Sequence, residues 1–184
     1  MSDRYPRAVA LNVANELQAR LSPACRRICI AGSLRRGRMD VGDIELLFVP
    51  ILSQRPDGLF DSQIVDVASE VVELLLRDGI LAKRPNVNGH FTWGEKNKHA
   101  IHVASGIPID LFATTEENWW VSLVVRTGSK ENNLRLTNGA IARGGNLMAY
   151  GSGVKWQDGT ISHAHSEEDV FKMCGYPYLE PYQR

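Results

Sequence analysis

Apolar residues recur at every fourth position through "YPRAVALNVANELQARL", at Val9, Val13, Leu17 and Leu21. That period, opening beside Pro6, predicts an amphipathic helix. "RICIAGS" then predicts a short strand ending at a glycine, and "DIELLFV" a second strand. "SQRPDG" reads as turn material. "SQIVDVASEVVELLLRDG" reads as one long helix, apolar at Ile64, Val67, Val71, Leu74 and Leu75 and closed by Gly79. "GILAKRP", "HFTWGEKNKHAIHV" and "IPIDLFAT" predict strands, joined by turns at Asn88-Gly89 and at Ser105 to Pro108.

From Thr114 the texture changes. "TEENWWVSLVVRTG" and "ENNLRLTNGAIARGG" predict two helices broken at Thr127-Gly128-Ser129. The β-rich piece "LMAYGSGVKWQDGTISH" follows, and the acidic "SEEDVFKMCG" predicts a last helix. The expected class is therefore α+β: a mixed β-sheet flanked by helices over residues 1–113, then a smaller α+β lobe over 114–184. No internal repeat is visible.

Composition narrows the choices. With 43% hydrophobic residues among 184, the chain can bury a core, and no stretch is low-complexity. Lys+Arg and Asp+Glu both number 21. Global charge alone therefore cannot hold the chain to nucleic acid, although Arg4, Arg7, Arg20, Arg26, Arg27, Arg35, Arg36 and Arg38 crowd its start. Three cysteines, Cys25, Cys29 and Cys174, do not make a four-ligand zinc set and read as free thiols of a reducing compartment. No apolar run reaches membrane-spanning length and no signal peptide opens the chain. The expectation is an intracellular monomer, cytoplasmic or in the host cytoplasm if viral, with no membrane contact.

The chemistry gathers in "AGSLRRGRMDVGDIELLFV". Residues two apart on a strand share a face, so Asp43 and Glu45 can converge. Asp110 interrupts the apolar "IPIDLFA", a costly placement without a partner. Three carboxylates form a hard-oxygen set suited to Mg²⁺. Each alone has a plainer explanation: Asp43 as a turn residue after Gly42, Glu45 as a solvent-facing side chain, Asp110 as a helix cap. Gly32-Ser33, at a strand end, offers backbone N–H groups, a hydroxyl and the nearby Arg36 to an anion. A cradle followed by metal carboxylates is the order needed to hold a nucleoside triphosphate for in-line displacement.

Nine residues separate Ser33 from Asp43-x-Glu45. "GSLRRGRMDVGDIELL" thus resembles the nucleotidyltransferase signature of the DNA polymerase beta superfamily. "RYPR", "GSLRRG", "IPIDLF", "RTGSKENN", "MAYG" and the "SEEDVFKMCGYPYLEPYQR" tail are similar to the family X DNA polymerases, almost from end to end. The resemblance implies a nucleotidyltransferase palm over 1–113 and a thumb-like subdomain over 114–184. It implies catalytic and metal-binding roles for Asp43, Glu45 and Asp110 with two Mg²⁺ ions, Mn²⁺ substituting. Nucleotide-binding roles fall to Arg4, Gly32, Ser33, Arg36, Gly42, Gly128, Ser129 and Asn133, with a cis peptide at Gly128-Ser129. The implied activity is nucleotidyl transfer from a nucleoside triphosphate to a DNA 3′-hydroxyl on primer/template or gapped DNA, as in repair. A small molecule, a protein or RNA is the alternative acceptor.

Departures from the family pattern are visible too. Glu45 stands where Asp is usual, and Val125-Arg126 where an aromatic pair precedes Thr-Gly-Ser. Lys130 replaces an acid, and Thr137 an arginine that lies against the template. Trp119-Trp120 reads as helix core rather than a stacking platform. His163-x-His165 reads as strand or turn surface, and Lys96 and Lys98 as either phosphate contacts or a solvated hairpin.

Overall fold

The computed structural model describes residues 3–57, 61–86 and 88–184. The backbone groups into two compact units, one holding the chain up to Ile30 with Asp40–Ala113, the other Ala31–Met39 with Thr114–Arg184.

In the first unit, β1 (Tyr5–Pro6) runs into α1 (Arg7–Leu21). Val13, Leu17 and Leu21 are buried on α1, as the spacing requires, but Val9 is 47% exposed. A strict period of four drifts about 40° per step on a helix with 3.6 residues per turn, so a series of four cannot stay on one face. Ala10 and Ala14 complete the buried stripe instead.

A five-stranded sheet has the order β2-β4-β9-β8-β7, formed by β2 (Cys25–Ile30), β4 (Ile44–Pro50), β7 (Leu81–Lys83), β8 (Asn97–His102) and β9 (Pro108–Ala113). β4 and β9 are parallel and the other neighbours antiparallel. β3 (Asp40–Val41) pairs with β1 in a separate short ladder. Leu46, Leu47, Phe48 and Val49 are all buried, the near-continuous apolar run of a strand covered on both faces. α1 packs on β2 and β4, α3 (Val67–Arg77) packs on β4 and β7, and the helices touch each other.

Residues 52–66 differ from expectation. "SQRPDG" is not a turn: β5 (Leu52–Asp57) pairs with β6 (Asp61–Asp66) as an antiparallel ribbon; its last residue, Gly58, lies outside the described residues. The expected long helix therefore starts only at Val67, where Asp66 caps it by accepting from Ser69 N at 2.9 Å. The strand expected over residues 90–103 likewise begins at Asn97, after a turn whose flanks Trp93 and Lys98 form an isolated bridge.

The second unit holds α2 (Gly32–Arg35), α4 (Trp119–Thr127), α5 (Lys130–Ala142) and α6 (Glu167–Met173). A small sheet of β10 (Gly145–Leu147), β11 (Gly153–Trp156) and β12 (Ile161–His163) joins them. Val121, Val124, Leu136, Ala140, Val154, Val170 and Phe171, all fully buried, form its core. Residues 31–39 group here and not with the expected continuous 1–113, because α2 packs on α4 and Arg35 bonds to Thr127 and Glu167. Among the described residues, no helix is long and apolar enough to cross a membrane.

Candidate active site

The carboxylates of the first unit are set by strand alternation. Ile44 and Leu46 flank Glu45 and are fully buried, so Glu45 points to the opposite face. Ile109 and Leu111 flank Asp110 in the same way. Glu45 and Asp110 are register partners across parallel β4 and β9, and so share a face at the strand spacing of about 4.8 Å. Asp43 lies just ahead of β4, two residues before Glu45. All three are half-buried.

Asp110 is not a bare charge on an apolar strand. Arg84 Nη2 donates to its Oδ1 at 2.6 Å, while Arg84 Nε donates to Ala100 O at 3.3 Å. The sequence reading missed Arg84, which is 26 residues away with no periodic link to Asp110. The donor set is chemically right for Mg²⁺, all hard oxygen. The side chains are not gathered for it: among the described residues, no group of three His, Cys, Asp or Glu is arranged to hold a metal ion.

Arg4 is exposed and pairs with Asp40: its Nε lies 2.9 Å from Oδ2 and its Nη2 donates to the Asp40 carbonyl at 2.8 Å. That hydrogen bond holds the Asp40 carboxyl below its ordinary range and raises the guanidinium. A Cβ on Gly42 would meet only Arg4 Nη1, at 3.9 Å, which is ordinary contact.

The remaining candidates lie in the second unit. Gly32 has φ of 59° and is buried, so a glycine is needed where α2 begins. Ser33 Oγ is buried and has no hydrogen-bond partner among the described residues. Of the arginine pair, Arg36 Nη1 donates to Thr127 O. Arg35 donates to Thr127 Oγ1 at 2.6 Å and grips Glu167 bidentately at 2.8 and 2.7 Å.

Gly128 has φ of 70°, and a Cβ there would lie 2.9 Å from Arg36 Nη1. The peptide bond from Gly128 to Ser129 is cis. Ser129 caps α5, its Oγ accepting from Asn132 N at 3.4 Å. Asn133 Nδ2 donates to Val125 O at 2.8 Å, and its buried Oδ1 has no hydrogen-bond partner among the described residues. Arg126 Nη2 donates to Tyr150 Oη at 3.0 Å.

Residues 122–184 match the family model described as DNA polymerase beta thumb. The chain is 28% identical over 182 residues to DNA polymerase/3′-5′ exonuclease PolX of Bacillus subtilis (strain 168), covering 97% of this chain and 28% of that protein. It is 26% identical over 201 residues to DNA polymerase lambda of Rattus norvegicus, covering 99% of this chain and 33% of that one. The chain is thus similar to family X DNA polymerases. Its fold agrees with the crystal structure of Leishmania infantum polymerase beta as a ternary P/T complex, at a TM-score of 0.76 and 19% identity, over 99% of this chain and 77% of that one. The chain spans a third or less of the length of the curated relatives it matches.

The thumb match takes in Gly128, Ser129, Asn133 and Glu167 of this polymerase-like chain. Asp43, Glu45 and Asp110 fall outside it and inside the alignments with PolX and polymerase lambda, which take in nearly all of this chain. One residue departs from the sequence reading and another was missed by it. Lys98 reaches neither phosphate nor solvent: it is 7% exposed and its Nζ donates to Ser69 Oγ and Gly94 O, both at 3.1 Å. The acidic last helix forms as expected, and the sequence reading gave no role to Glu167, which is buried between Arg35 and the Nη1 of Arg184 at 3.0 Å.

Proposed function

We propose that this chain transfers a nucleotidyl group from a nucleoside triphosphate to a DNA 3′-hydroxyl, filling gaps or extending ends as a minimal family X-like polymerase. The observation that carries this reading is the register of Glu45 with Asp110, two residues beyond Asp43, in a chain aligned almost end to end with PolX. In the reaction the 3′-oxygen attacks the α-phosphorus, the bond to the β-phosphate oxygen breaks, and pyrophosphate leaves.

Asp43 and Glu45, with Asp110, would hold two Mg²⁺ ions, with Mn²⁺ as a substitute. Bound there, the metals supply charge neutralisation on the triphosphate and a more acidic 3′-hydroxyl. Asp110 is assigned to the primer side, where its carboxylate helps take the hydroxyl proton. For that, its Oδ1 must exchange the Arg84 guanidinium for a cation.

Gly32, Ser33, Arg36 and Arg4 are assigned to the triphosphate, with Gly42 beside Arg4. The orphaned Ser33 Oγ supports this, since a buried hydroxyl without a partner is costly unless a ligand engages it. Gly128, Ser129 and Asn133 are assigned to the sugar and base edge, with Asn133 Oδ1 as the atom left to meet them.

The test is a labelled primer alone, a gapped duplex and a mixture of small acceptors, each incubated with dNTP or rNTP and Mg²⁺. Extension of the gapped duplex or primer is expected. Transfer to the small acceptors alone would replace this reading with the alternative one.

A further inference from the structure

The first unit carries a groove of about 660 Å³ that none of these assignments uses. One wall is the run 63–66 of β6; the other is Ser69, Glu70, Glu73 and Leu74 on α3. Successive side chains of a strand point to opposite faces, so four consecutive residues can line one groove only along the strand's edge. β5 adds nothing to the lining, as its place on the other side of β6 requires. The groove therefore follows the outer edge of β6, and among the described residues β6 pairs with β5 alone. On such an edge alternate residues turn their N–H and C=O outward, a template for one more strand.

Apolar surface flanks this edge. Ile64 is 74% exposed, Leu52 58% and Leu74 43%. The register sets Leu52 opposite Asp66 and Gln54 opposite Ile64, so Leu52 and Ile64 share one face of the ribbon. The two walls are tied to each other. Arg55 of β5 grips Glu70 of α3 bidentately at 2.6 and 2.8 Å, and Asp66 caps α3 by accepting from Ser69 N at 2.9 Å.

Charge decides what fits. Asp66, Glu70 and Glu73 line the groove, and none of the described lining residues is basic. Arg55 neutralises Glu70, and Lys98 reaches Asp66 through the Ser69 hydroxyl, at 3.1 and 2.9 Å. Glu73 accepts from the neutral Trp93 N–H at 3.0 Å, a bond that leaves its charge in place. Asp57 and Asp61, paired at the far end of the ribbon, add two exposed acids. Acids along the edge repel a phosphate backbone, so nucleic acid does not suit it. A second copy of β6 suits it no better. Antiparallel pairing of β6 with itself about Gln63 and Ile64 would set Asp61 opposite Asp66 at both ends, and like charges directly opposite are destabilising.

We propose that this groove docks an extended basic segment of a partner protein, which adds to the outer edge of β6 as a further strand. Main-chain hydrogen bonds along the open edge supply affinity. Apolar side chains of the segment cover Ile64 and Leu74, and its Lys or Arg side chains meet Glu73 and the acids of the ribbon. The proposal does not rest on the transfer reading, and its test uses neither metal nor nucleotide.

The probe is a fluorescein-labelled eight-residue peptide that alternates lysine with valine. One twin carries glutamate for lysine; another keeps every lysine but has proline for two valines, which removes strand donors. Each is titrated into the whole chain by anisotropy, and amide hydrogen exchange is read with and without peptide. The lysine–valine peptide is expected to bind saturably, at least about tenfold tighter than either twin, and to slow exchange within residues 61–66. Ile64→Lys should weaken it about tenfold, by loss of an apolar contact, and Glu73→Gln about two- to fivefold. Both side chains are exposed, so neither change should shift Tm by more than a few degrees. Equal binding of the proline twin, unchanged affinity in Ile64→Lys, or no added protection at 61–66 overturns the proposal. So does displacement of the peptide by duplex DNA, which would give the groove to nucleic acid. A dimer of the chain alone in sedimentation, lost in Ile64→Lys, would give it to a second copy and overturn the proposal as well.

Discussion

Asp110 has one carboxylate oxygen against Arg84 at 2.6 Å, and that contact sets a competition. The pair is partly exposed, with Arg84 at 30% and Asp110 at 14%, so it is worth at most about 1 kcal/mol. On the proposed reading, a cation at Asp110 competes with the guanidinium at up to that cost. Arg84→Gln is therefore expected to lower the half-saturating Mg²⁺ concentration about two- to fivefold, since 1.4 kcal/mol is a factor of ten. Titration of transfer rate against Mg²⁺ measures this, and an unchanged midpoint would remove Arg84 from the account. The acids themselves were legible, because charges inside apolar runs stand out. Their partner was not: the β7–β8 and β8–β9 pairings together bring residue 84 to residue 110.

Among the elements, legibility tracked burial. α4, α5 and β9 each bury apolar side chains, and periodicity found them. The β5–β6 ribbon is almost wholly exposed, so it carries no apolar alternation to read, and its Ile64 and Val65 were absorbed into the next helix.

Gly139, inside α5, is a place where two effects of opposite sign compete. Alanine is ordinarily favoured over glycine in a helix by about 1 kcal/mol. Here a Cβ would lie 2.2 Å from Cys174 O and 2.5 Å from Tyr176 Cε2. Overpacking of this kind costs about 1–3 kcal/mol and should win. Gly139→Ala is expected to lower Tm, and a rise would mean that the C-terminal segment gives way easily.

α6 is tied down at Glu167. Burial pushes its carboxyl up, but Arg35 and Arg184 outweigh that and hold it below the ordinary value of 4.5. Its contribution is thus complete above that value and is lost as pH falls through the lowered one. Glu167→Gln leaves buried guanidiniums without their carboxylate, at a cost of about 3–5 kcal/mol. For a chain of this size that is a Tm drop of about 6–20 °C at neutral pH. The gap between variant and wild type should narrow below pH 4.5; a gap independent of pH would contradict the ion-pair explanation.

At the scale of the whole molecule, similarity over 97% of the chain to PolX and the agreement of fold with polymerase beta bear on the plan, while the chemistry rests on three acids. The motif order announced that plan in the sequence, because short loops and strand ends carry their chemistry locally. The grouping of residues 31–39 with the second unit was not announced, since it depends on Arg35 meeting Glu167 132 residues away. The most direct measurement is the single-turnover rate of one-nucleotide addition to a gapped duplex for wild type and Asp110→Asn, beside the dNTP Kd of each. Metal-assisted charge stabilisation is worth several kcal/mol, so the rate should fall by about a thousandfold or more, with Kd changed only a few-fold. A variant that turns over normally, or one that loses nucleotide binding while keeping its rate, would contradict the assignment of Asp110 to the primer side of a nucleotidyl transfer.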